Sequence, residues 1–359
     1  MRESYQRAKV GYIVALRKWS HTSILNPESD RFLAVSQIEK PVIVIPGDDP
    51  AQIAGSPQLE RLRNYGRVVL YDTRPADHAE QVLRAREADC LINSRSSVKW
   101  PAEVLQQLSR LKMITVCGIG TDSFDLQTVR QMGITLCNLP GRTAKVVAEH
   151  AFGLMLAAAK RAAFHTLELK AGRWPGLQNM TLAGKTLGVI GAGPIAAEMA
   201  RLANALGMRV IAWTFHPTPE RAAKLNVTFR EFDELLRESD VVSLHLPLTP
   251  QSRQLLGEKE LRMMKPGSLL INTARGAVVD EMALVEVLHN GHLAGAAIDV
   301  YSKEPLPADH PILSCAQVVL TPHCADQTPE GVELLNSGVV ENVIAFLEGR
   351  PINVVVAGK

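Results

Sequence analysis

The chain has 359 residues, which is more than one hydrophobic core usually accommodates, and this length predicts two domains. Hydrophobic residues make up 46% of the chain and charged residues 21%, the balance of a soluble globular protein. The net charge of +2 predicts no nucleic-acid partner and no membrane surface as partner, and the longest apolar runs, such as Ala151–Ala159, are too short to span a bilayer.

Cysteine usage predicts a reducing compartment. The odd number and the spacing of the cysteines match no disulfide framework and no zinc-binding pattern, so we expect no metal site and a cytoplasmic protein with mostly buried thiols. The five cysteines are Cys90, Cys117, Cys137, Cys315 and Cys324.

Residues 1–40 lack clear periodicity and are predicted to form an N-terminal extension. Their small apolar stretch, Tyr12–Leu16, is followed at once by Arg17 and Lys18. A secretory signal needs a longer apolar core and a small-residue cleavage site, so none is expected here.

From Pro41 onward, short apolar runs alternate with stretches of helical character such as Ala76–Arg86. Runs of four or five apolar residues between helices are typical of buried parallel strands. This first unit therefore reads as a small doubly wound α/β domain. Its predicted strands are Val42–Ile45, Val68–Tyr71, Cys90–Asn93, Met113–Val116 and Ile134–Cys137.

The segment Thr143–Lys170 contains no proline, and Gly153 is its one internal breaker. It is predicted to form one long helix that leads into a second unit. Because this helix is apolar on most faces, the helix and the loop after it are a candidate surface for a homodimer.

A second alternating unit runs from about Gly184 to Leu320. After Thr321-Pro322, a helix at Pro329–Leu347 is predicted to return to the first unit. The predicted strands of the second unit are Thr186–Ile190, Arg209–Trp213, Val241–Leu244, Ser268–Ile271, Ala294–Ile298 and Gln317–Leu320.

A glycine-rich turn lies between the first strand and the first helix of this second unit. Gly191 permits the tight turn, Gly193 lets the backbone approach a pyrophosphate, and Ala196 stands where close packing of helix and strand usually requires a third glycine. The pattern predicts a dinucleotide-binding unit that begins in the middle of the chain.

The fold prediction follows from that position. We expect an α/β fold of two doubly wound parallel-sheet domains, with a Rossmann-type cofactor domain over residues 143–320. It is inserted into a flavodoxin-like substrate domain built from residues 41–142 and 321–359.

The strand after the glycine-rich turn usually ends in an acidic residue that binds the adenosine ribose, and Thr214 occupies that place. Without a carboxylate, a 2′-phosphate is no longer repelled, and His216 or Arg221 could attract one. Thr214 could equally bond the ribose hydroxyls of NAD. The sequence leaves NAD and NADP both open.

Three later strands are each followed by a polar residue: Arg275, Glu304 and His323. Ligands of open α/β sheets bind beyond the carboxyl ends of the strands, so these side chains are expected in one cleft. Histidine can exchange a proton near neutral pH, a neighbouring carboxylate favours its charged form, and arginine can hold a substrate carboxylate.

Several motifs together resemble the D-isomer-specific 2-hydroxyacid dehydrogenase family, most of all its phosphoglycerate dehydrogenase-type members. The similarity covers roughly residues 41–359. The motifs are C-G-I-G-T-D-S-F-D (117–125), N-L-P-G-R-T-A-K-V-V-A-E-H-A (138–151), L-H-L-P-L-T (244–249), M-K-P-G-S-L-L-I-N-T-A-R-G-A-V-V-D (264–280), G-A-A-I-D-V-Y-S-K-E-P (295–305) and T-P-H (321–323).

The resemblance implies hydride transfer between NAD or NADP and C2 of a D-2-hydroxy acid or 2-keto acid. It implies that Arg275 binds substrate, that Glu304 supports the histidine, and that His323 is the general acid/base. The backbone of Gly118, Ile119 and Gly120 would hold the substrate carboxylate, and Arg95 would contact a phosphorylated substrate. The other implied cofactor contacts are Pro194 and Ile195 at the pyrophosphate, Thr214 at the ribose, His245 and Pro247 at the adenosine half, and Thr273 and Asp299 near the nicotinamide.

Two other functions remain compatible with these residues. One is a nucleotide-sensing, corepressor-like scaffold with little turnover. The other is a formate or phosphonate dehydrogenase, although Glu304 argues against formate. After the histidine the family usually has a small apolar pair and a glycine, whereas this chain has Cys324-Ala325-Asp326. The sequence therefore does not determine the local shape of the substrate pocket.

Overall fold

The computed structural model describes residues 40–96 and 98–358, so the predicted extension at residues 1–40 lies, apart from Lys40, outside the described residues. In that part of the chain the strands are β1 (Val42–Ile45), β2 (Arg67–Leu70), β3 (Cys90–Asn93), β4 (Met113–Val116), β5 (Thr135–Cys137), β6 (Thr186–Ile190), β7 (Arg209–Trp213), β8 (Thr228–Phe229), β9 (Val241–Leu244), β10 (Leu269–Asn272), β11 (Gly295–Ile298), β12 (Val318–Leu320) and β13 (Val354–Val356).

Helices connect nearly all of these strands. They are α1 (Pro57–Arg63), α2 (His78–Ala85), α3 (Ala102–Leu105), α4 (Leu126–Met132), α5 (Ala144–Ala159), α6 (Ala162–Lys170), α7 (Pro194–Ala205), α8 (Pro219–Leu225), α9 (Phe232–Glu238), α10 (Glu258–Met263), α11 (Glu281–His289) and α12 (Pro329–Leu347).

The first sheet has the strand order β13-β5-β4-β3-β1-β2. Strands β1 to β5 are parallel to one another, and their boundaries lie within one residue of the predicted runs. The sheet has one further strand, β13, which pairs antiparallel with β5 at the edge. The sequence analysis missed β13, although Val354–Val356 is a β-branched run.

The second sheet is wholly parallel and has the order β12-β11-β10-β9-β6-β7-β8. Its six predicted strands are present, with boundaries that move by at most one residue. The two-residue strand β8 is too short to give a pattern. Chain direction across the sheet reverses between β6 and β9, and ligands of doubly wound sheets bind at such a switch point.

The prediction of a single helix over Thr143–Lys170 is wrong, because α5 ends at Ala159 and α6 begins at Ala162. Arg161 adopts a left-handed backbone, with φ of 47°. Lys160 Nζ donates to the carbonyl oxygen of Met180 at 2.7 Å, and Arg161 Nε donates to that of Gln178 at 3.2 Å. These contacts with a distant loop hold the break, so local sequence does not reveal it.

Helices α5 and α12 pack against different sheets. Buried residues of α5, such as Met155, share a core with β6 and α7, whereas Val339 and Val343 of α12 share one with β1 and β4. We therefore propose domains over residues 41–142 with 321–359 and over residues 143–320. No helix in the described part of the chain is both long and apolar enough to cross a membrane.

Candidate active site

The glycine-rich turn lies at the switch point of the second sheet. Gly191 has φ of 114°, and a Cβ at this position would overlap the carbonyl group of His245 after β9. A side chain is thus excluded twice, by backbone conformation and by space. The turn brings the chain to the N-terminus of α7 at the carboxyl edge of β6.

Helix α7 begins with open backbone donors. Gly193 is its N-cap and offers no side-chain acceptor, and Pro194 is the first helical residue. The N–H groups of the first turn, from Ile195 onward, therefore face the turn without a capping side chain. Helix N-termini of this kind bind phosphate groups, which fits a pyrophosphate at this edge.

Two buried side chains lie deeper on the same edge. Burial lowers the pKa of His245 to about 4, so its imidazole is neutral at neutral pH, and Nε2 lies 2.9 Å from Ser243 Oγ. The hydroxyl of Thr273 after β10 is buried and has no hydrogen-bond partner among the described residues. A buried, unpaired hydroxyl at a strand end is the group a bound cofactor would satisfy.

Thr214 lies directly after β7 and is partly exposed, as the sequence predicts for the ribose position. Pro247 lies after β9 and accepts a hydrogen bond from Ser252 Oγ at 2.7 Å. Both residues lie at the same carboxyl edge, and their contacts with a cofactor stay predictions.

His323 and Glu304 form the central pair of the site. Nδ1 of His323 lies 2.7 Å from Glu304 Oε2, and the backbone N–H of Tyr301 donates to Glu304 Oε1 at 2.9 Å. Although burial alone would raise the pKa of the Glu304 carboxyl, the hydrogen bond and charge of His323 bring it below its usual value. Glu304 is therefore ionised and pairs with Nδ1, and Nε2 of His323, which has no hydrogen-bond partner among the described residues, can bind a ligand.

Asp299 holds the loop that carries His323. Its buried carboxylate accepts from Thr321 Oγ1 at 2.5 Å and from the backbone N–H groups of Cys324 and Ala325 at 3.0 and 3.1 Å. His323 has a left-handed backbone, with φ of 50°, which is unfavourable for a residue with a side chain. The three bonds to Asp299 hold this conformation, while its contact with a nicotinamide stays a prediction.

Arg275 connects the two sheets. Its Nε donates to Asp122 Oδ1 at 3.1 Å and its Nη1 to the carbonyl oxygen of Ala274 at 2.8 Å. A Cβ at Gly120 would overlap Nη2 of Arg275, so the guanidinium lies directly on the glycine backbone. The predicted carboxylate-binding backbone and the predicted substrate arginine are thus brought together.

The sequence analysis missed Asp122. Its only signal is its place just after the glycine pair 118–120, in a motif otherwise interpreted as backbone donors.

The loop 118–120 offers two free donors. The carbonyl oxygens of Gly118 and Ile119 accept from Leu139 N and from Asn138 Nδ2, and the N–H of Gly118 donates to Val116. The N–H groups of Ile119 and Gly120 have no acceptor within residues 40–96 and 98–358. The N–H of Gly118 is already bonded to the carbonyl oxygen of Val116, and its contact with a substrate carboxylate stays a prediction.

Arg95 lies near the loop after His323. It has a left-handed backbone, with φ of 50°, and its Nη1 donates to Gln327 Oε1 at 2.7 Å. Gln327 gave no signal in the sequence, because its partner lies 232 positions away. The contact places Arg95 at the rim of the His323 loop, and its role toward a phosphorylated substrate stays a prediction.

Comparisons with known proteins agree with this geometry. Residues 152–325 match the NAD-binding domain model of the D-isomer-specific 2-hydroxyacid dehydrogenases. Over 302 residues the chain is 37% identical to a glyoxylate reductase of Aeropyrum pernix, covering 81% of this chain and 90% of that protein. The chain belongs to the D-isomer-specific 2-hydroxyacid dehydrogenase family.

A second relative and a solved structure extend the comparison. A D-3-phosphoglycerate dehydrogenase of Archaeoglobus fulgidus is 39% identical over 275 residues, but the match covers 76% of this chain and only 52% of that protein. The D-lactate dehydrogenase of Aquifex aeolicus, solved with NAD and lactic acid, aligns with a TM-score of 0.78 at 29% identity, covering 89% of this chain and 100% of that one.

This D-2-hydroxyacid dehydrogenase is accordingly an oxidoreductase that uses NAD or NADP. The expected fold and family are confirmed. Nothing in the comparisons supports the corepressor-like alternative.

Proposed function

We propose that this dehydrogenase interconverts a small 2-keto acid and its D-2-hydroxy acid, with His323 as general acid/base. The nicotinamide cofactor, when bound, supplies or accepts the hydride at C2. The observation that carries the proposal is the bond between His323 Nδ1 and Glu304, which leaves Nε2 to give a proton to the substrate oxygen or take one from it.

The residues around that pair would orient the substrate. The free N–H groups of Ile119 and Gly120 suit one carboxylate oxygen, and the guanidinium of Arg275, which lies on Gly120, suits the other oxygen or the keto group. The name of the Aeropyrum relative supports glyoxylate as one such substrate.

A reduction screen tests this proposal. The purified chain is assayed with NADH and with NADPH against glyoxylate, hydroxypyruvate, pyruvate and phosphohydroxypyruvate. Turnover of at least one unphosphorylated keto acid is expected, and its absence with both cofactors would overturn the proposal. Loss of activity in Arg95→Ala with phosphohydroxypyruvate alone would favour the phosphoglycerate branch.

We further propose that NADPH is the preferred cofactor. No carboxylate lies between β7 and α8, where Thr214 is followed by the exposed residues Phe215 and His216. Arg221 on α8 donates through Nη1 to the carbonyl oxygen of His216 at 2.9 Å, which holds a permanent positive charge beside the loop. A 2′-phosphate next to Thr214 would meet this charge, and the loop 214–218 carries no opposing one.

The variant Thr214→Asp tests that preference. The new carboxylate repels a 2′-phosphate and can accept bonds from the ribose hydroxyls of NADH. The ratio of kcat/KM for NADPH to that for NADH is expected to fall by roughly 10- to 100-fold, the effect of one charge-assisted bond. Arg221→Ala should lower the NADPH value alone, and Lys224→Ala on the same helix is the control. An unchanged ratio in both Thr214→Asp and Arg221→Ala would show that this loop does not select the cofactor.

We also propose a homodimer that uses α6 and the loop after it. Helix α6 has no buried residue, and four large apolar side chains lie exposed on this surface. Contiguous exposed apolar patches of this kind mark interaction surfaces. The four are Leu167, Leu169, Trp174 and Leu177.

The double variant Leu167→Asp/Trp174→Asp is expected to convert the dimer to a monomer in light scattering. Trp174 is 90% exposed and Leu167 67% exposed in the single chain, so the substitutions cost little intrachain packing. Leu83→Asp, at a leucine of α2 that is 57% exposed, is the control and should leave the mass unchanged. A wild-type chain that is monomeric at micromolar concentration would contradict the proposal.

We propose a cytoplasmic location because the cysteine side chains are free thiols. All five cysteines are unpaired, and four of them are buried. Burial raises the pKa of Cys90 and of Cys117 to about 12, which keeps these thiols protonated and inert.

A further inference from the structure

A cluster of three potential metal ligands lies beneath the His323 loop. The nearest donor atoms of His150, Asp299 and Cys324 all lie within 4.8 Å of one another. They come from three separate elements, namely α5, the carboxyl end of β11 and the loop after β12. Nothing in the linear spacing of positions 150, 299 and 324 indicates a common site.

The chemistry of these donors is that of a zinc ligand set. Imidazole nitrogen, carboxylate oxygen and thiolate sulfur each bind Zn²⁺, and three protein ligands with one open position form its usual non-structural site. We propose that His150, Asp299 and Cys324 bind a zinc-class divalent cation, and that the bound ion slows turnover by restraining the loop that carries His323.

The donors need little movement to share an ion. His150 Nε2 already lies 3.5 Å from Asp299 Oδ1, close to the separation of two ligands on one tetrahedral ion. The side chain of His150 is 23% exposed and Cys324 is partly exposed, so an ion can reach the cluster from solvent. Asp299 itself is fully buried and its position is fixed by the backbone bonds described above.

Binding of the ion releases one proton and weakens hydrogen bonds of Thr321. The Cys324 thiol loses its proton to solvent as sulfur bonds the ion, and Thr321 Oγ1 gives up its 3.3 Å contact with His150 Nε2 and part of its bond to Asp299 Oδ1. No oxidation or reduction is involved, so addition of a chelator reverses the process.

The effect on turnover follows from the position of Cys324, which directly succeeds His323. An ion that ties Cys324 and Asp299 to α5 fixes the loop in one arrangement and displaces Thr321 from it. The imidazole of His323 can then no longer adjust its position relative to the Glu304 carboxylate during turnover. This second step rests on the proposed function, whereas binding of the ion does not.

Cobalt binding tests the site without any assay of activity. Titration of the purified, tag-free apoprotein with Co²⁺ is expected to give a thiolate-to-cobalt charge-transfer band in the near ultraviolet and intense visible bands typical of tetrahedral coordination. The bands should be absent in Cys324→Ala and strongly reduced in His150→Asn. Cys315→Ala, which removes another buried thiol, should keep them. Absence of a thiolate band in the wild type, or its persistence in Cys324→Ala, overturns the site.

Zinc inhibition then tests the effect on turnover. Micromolar Zn²⁺ should lower the rate of the wild type at least tenfold, EDTA should restore it, and Cys324→Ala should lose at least tenfold in sensitivity relative to its own uninhibited rate. Equal inhibition of wild type and Cys324→Ala would place the inhibitory ion elsewhere and contradict the proposal. If no keto acid is reduced by any form of the chain, the proposed function fails, while the cobalt bands still decide the site.

Discussion

Replacement of His323 by asparagine is expected to lower kcat for keto-acid reduction by about two to four orders of magnitude. Asparagine keeps a polar side chain of similar size but cannot carry a proton to the substrate oxygen. The predicted pyrophosphate and ribose contacts follow β6 and β7, which the strand order separates from β12 and the imidazole, so the dissociation constant of NADPH or NADH should change by less than about twofold. Stopped-flow reduction and a fluorescence titration of the cofactor measure the two quantities.

A matched control exists elsewhere on the surface. His78 and Glu103 form an exposed pair with Nδ1 and Oε1 3.7 Å apart. His78→Asn removes a histidine from a similar partner outside the residues assigned to the candidate site, and should leave kcat unchanged. Turnover of His323→Asn within a few-fold of wild type would exclude His323 as the general acid/base.

Glu304→Gln separates proton transfer from mere geometry. Glutamine can still accept a bond from His323 Nδ1, but it removes the negative charge that stabilises an imidazolium. We expect kcat to fall by roughly tenfold and the pH–rate profile of reduction to shift to lower pH. A role for Glu304 that is only structural would lower kcat without moving the profile.

The same carboxyl has a stability consequence with a definite sign. The folded-state pKa of Glu304 lies below its usual value, so its ionised form stabilises the fold above the unfolded-state pKa. That contribution is lost as the pH falls through the lowered pKa. In Glu304→Gln, the acid side of the stability curve should therefore be flatter than in the wild type.

The strands and their polar ends were predictable from the sequence because they depend on local pattern. Buried parallel strands are short apolar runs, and the segment after each run lies at the ligand-binding edge, which is why Arg275, Glu304 and His323 could be found. Helix α12 could also be predicted from local sequence, since the N-cap Thr328 and Pro329 mark where it begins.

What could not be predicted depends on contacts between distant parts of the chain. The break between α5 and α6 is held by bonds to residues 178 and 180, and the partner of Arg275 lies 153 positions earlier. The cluster of His150, Asp299 and Cys324 joins elements of both predicted domains. Such pairs depend on how the two sheets meet, which no periodicity encodes.

Arg275→Lys is the second substitution with a large expected effect. Lysine keeps the charge but cannot bond Asp122 through Nε while presenting a fork to a carboxylate. Loss of one or two charge-assisted bonds, each about 1.5–3 kcal/mol, predicts a fall in kcat/KM of roughly 10- to 10⁴-fold. Steady-state kinetics with the best keto acid of the screen measure it, and a change below about threefold would remove Arg275 from the substrate site.

Gly120→Ala tests the contact between Arg275 and Gly120 without changing the arginine itself. The added Cβ overlaps Nη2 of Arg275, the far end of a flexible side chain, and the backbone of Gly120 is not left-handed, so the fold should tolerate it. The guanidinium must then move away from the N–H donors of the loop, and KM should rise at least tenfold while Tm stays within about 2 °C of wild type. Gly153→Ala, whose Cβ meets open space on α5, controls for the loss of a glycine. In Gly120→Ala the methyl group displaces the guanidinium, so Arg275 can no longer hold the substrate carboxylate in the same geometry. An unchanged KM would therefore show that the contact between the guanidinium and Gly120 does not determine how the substrate carboxylate is held.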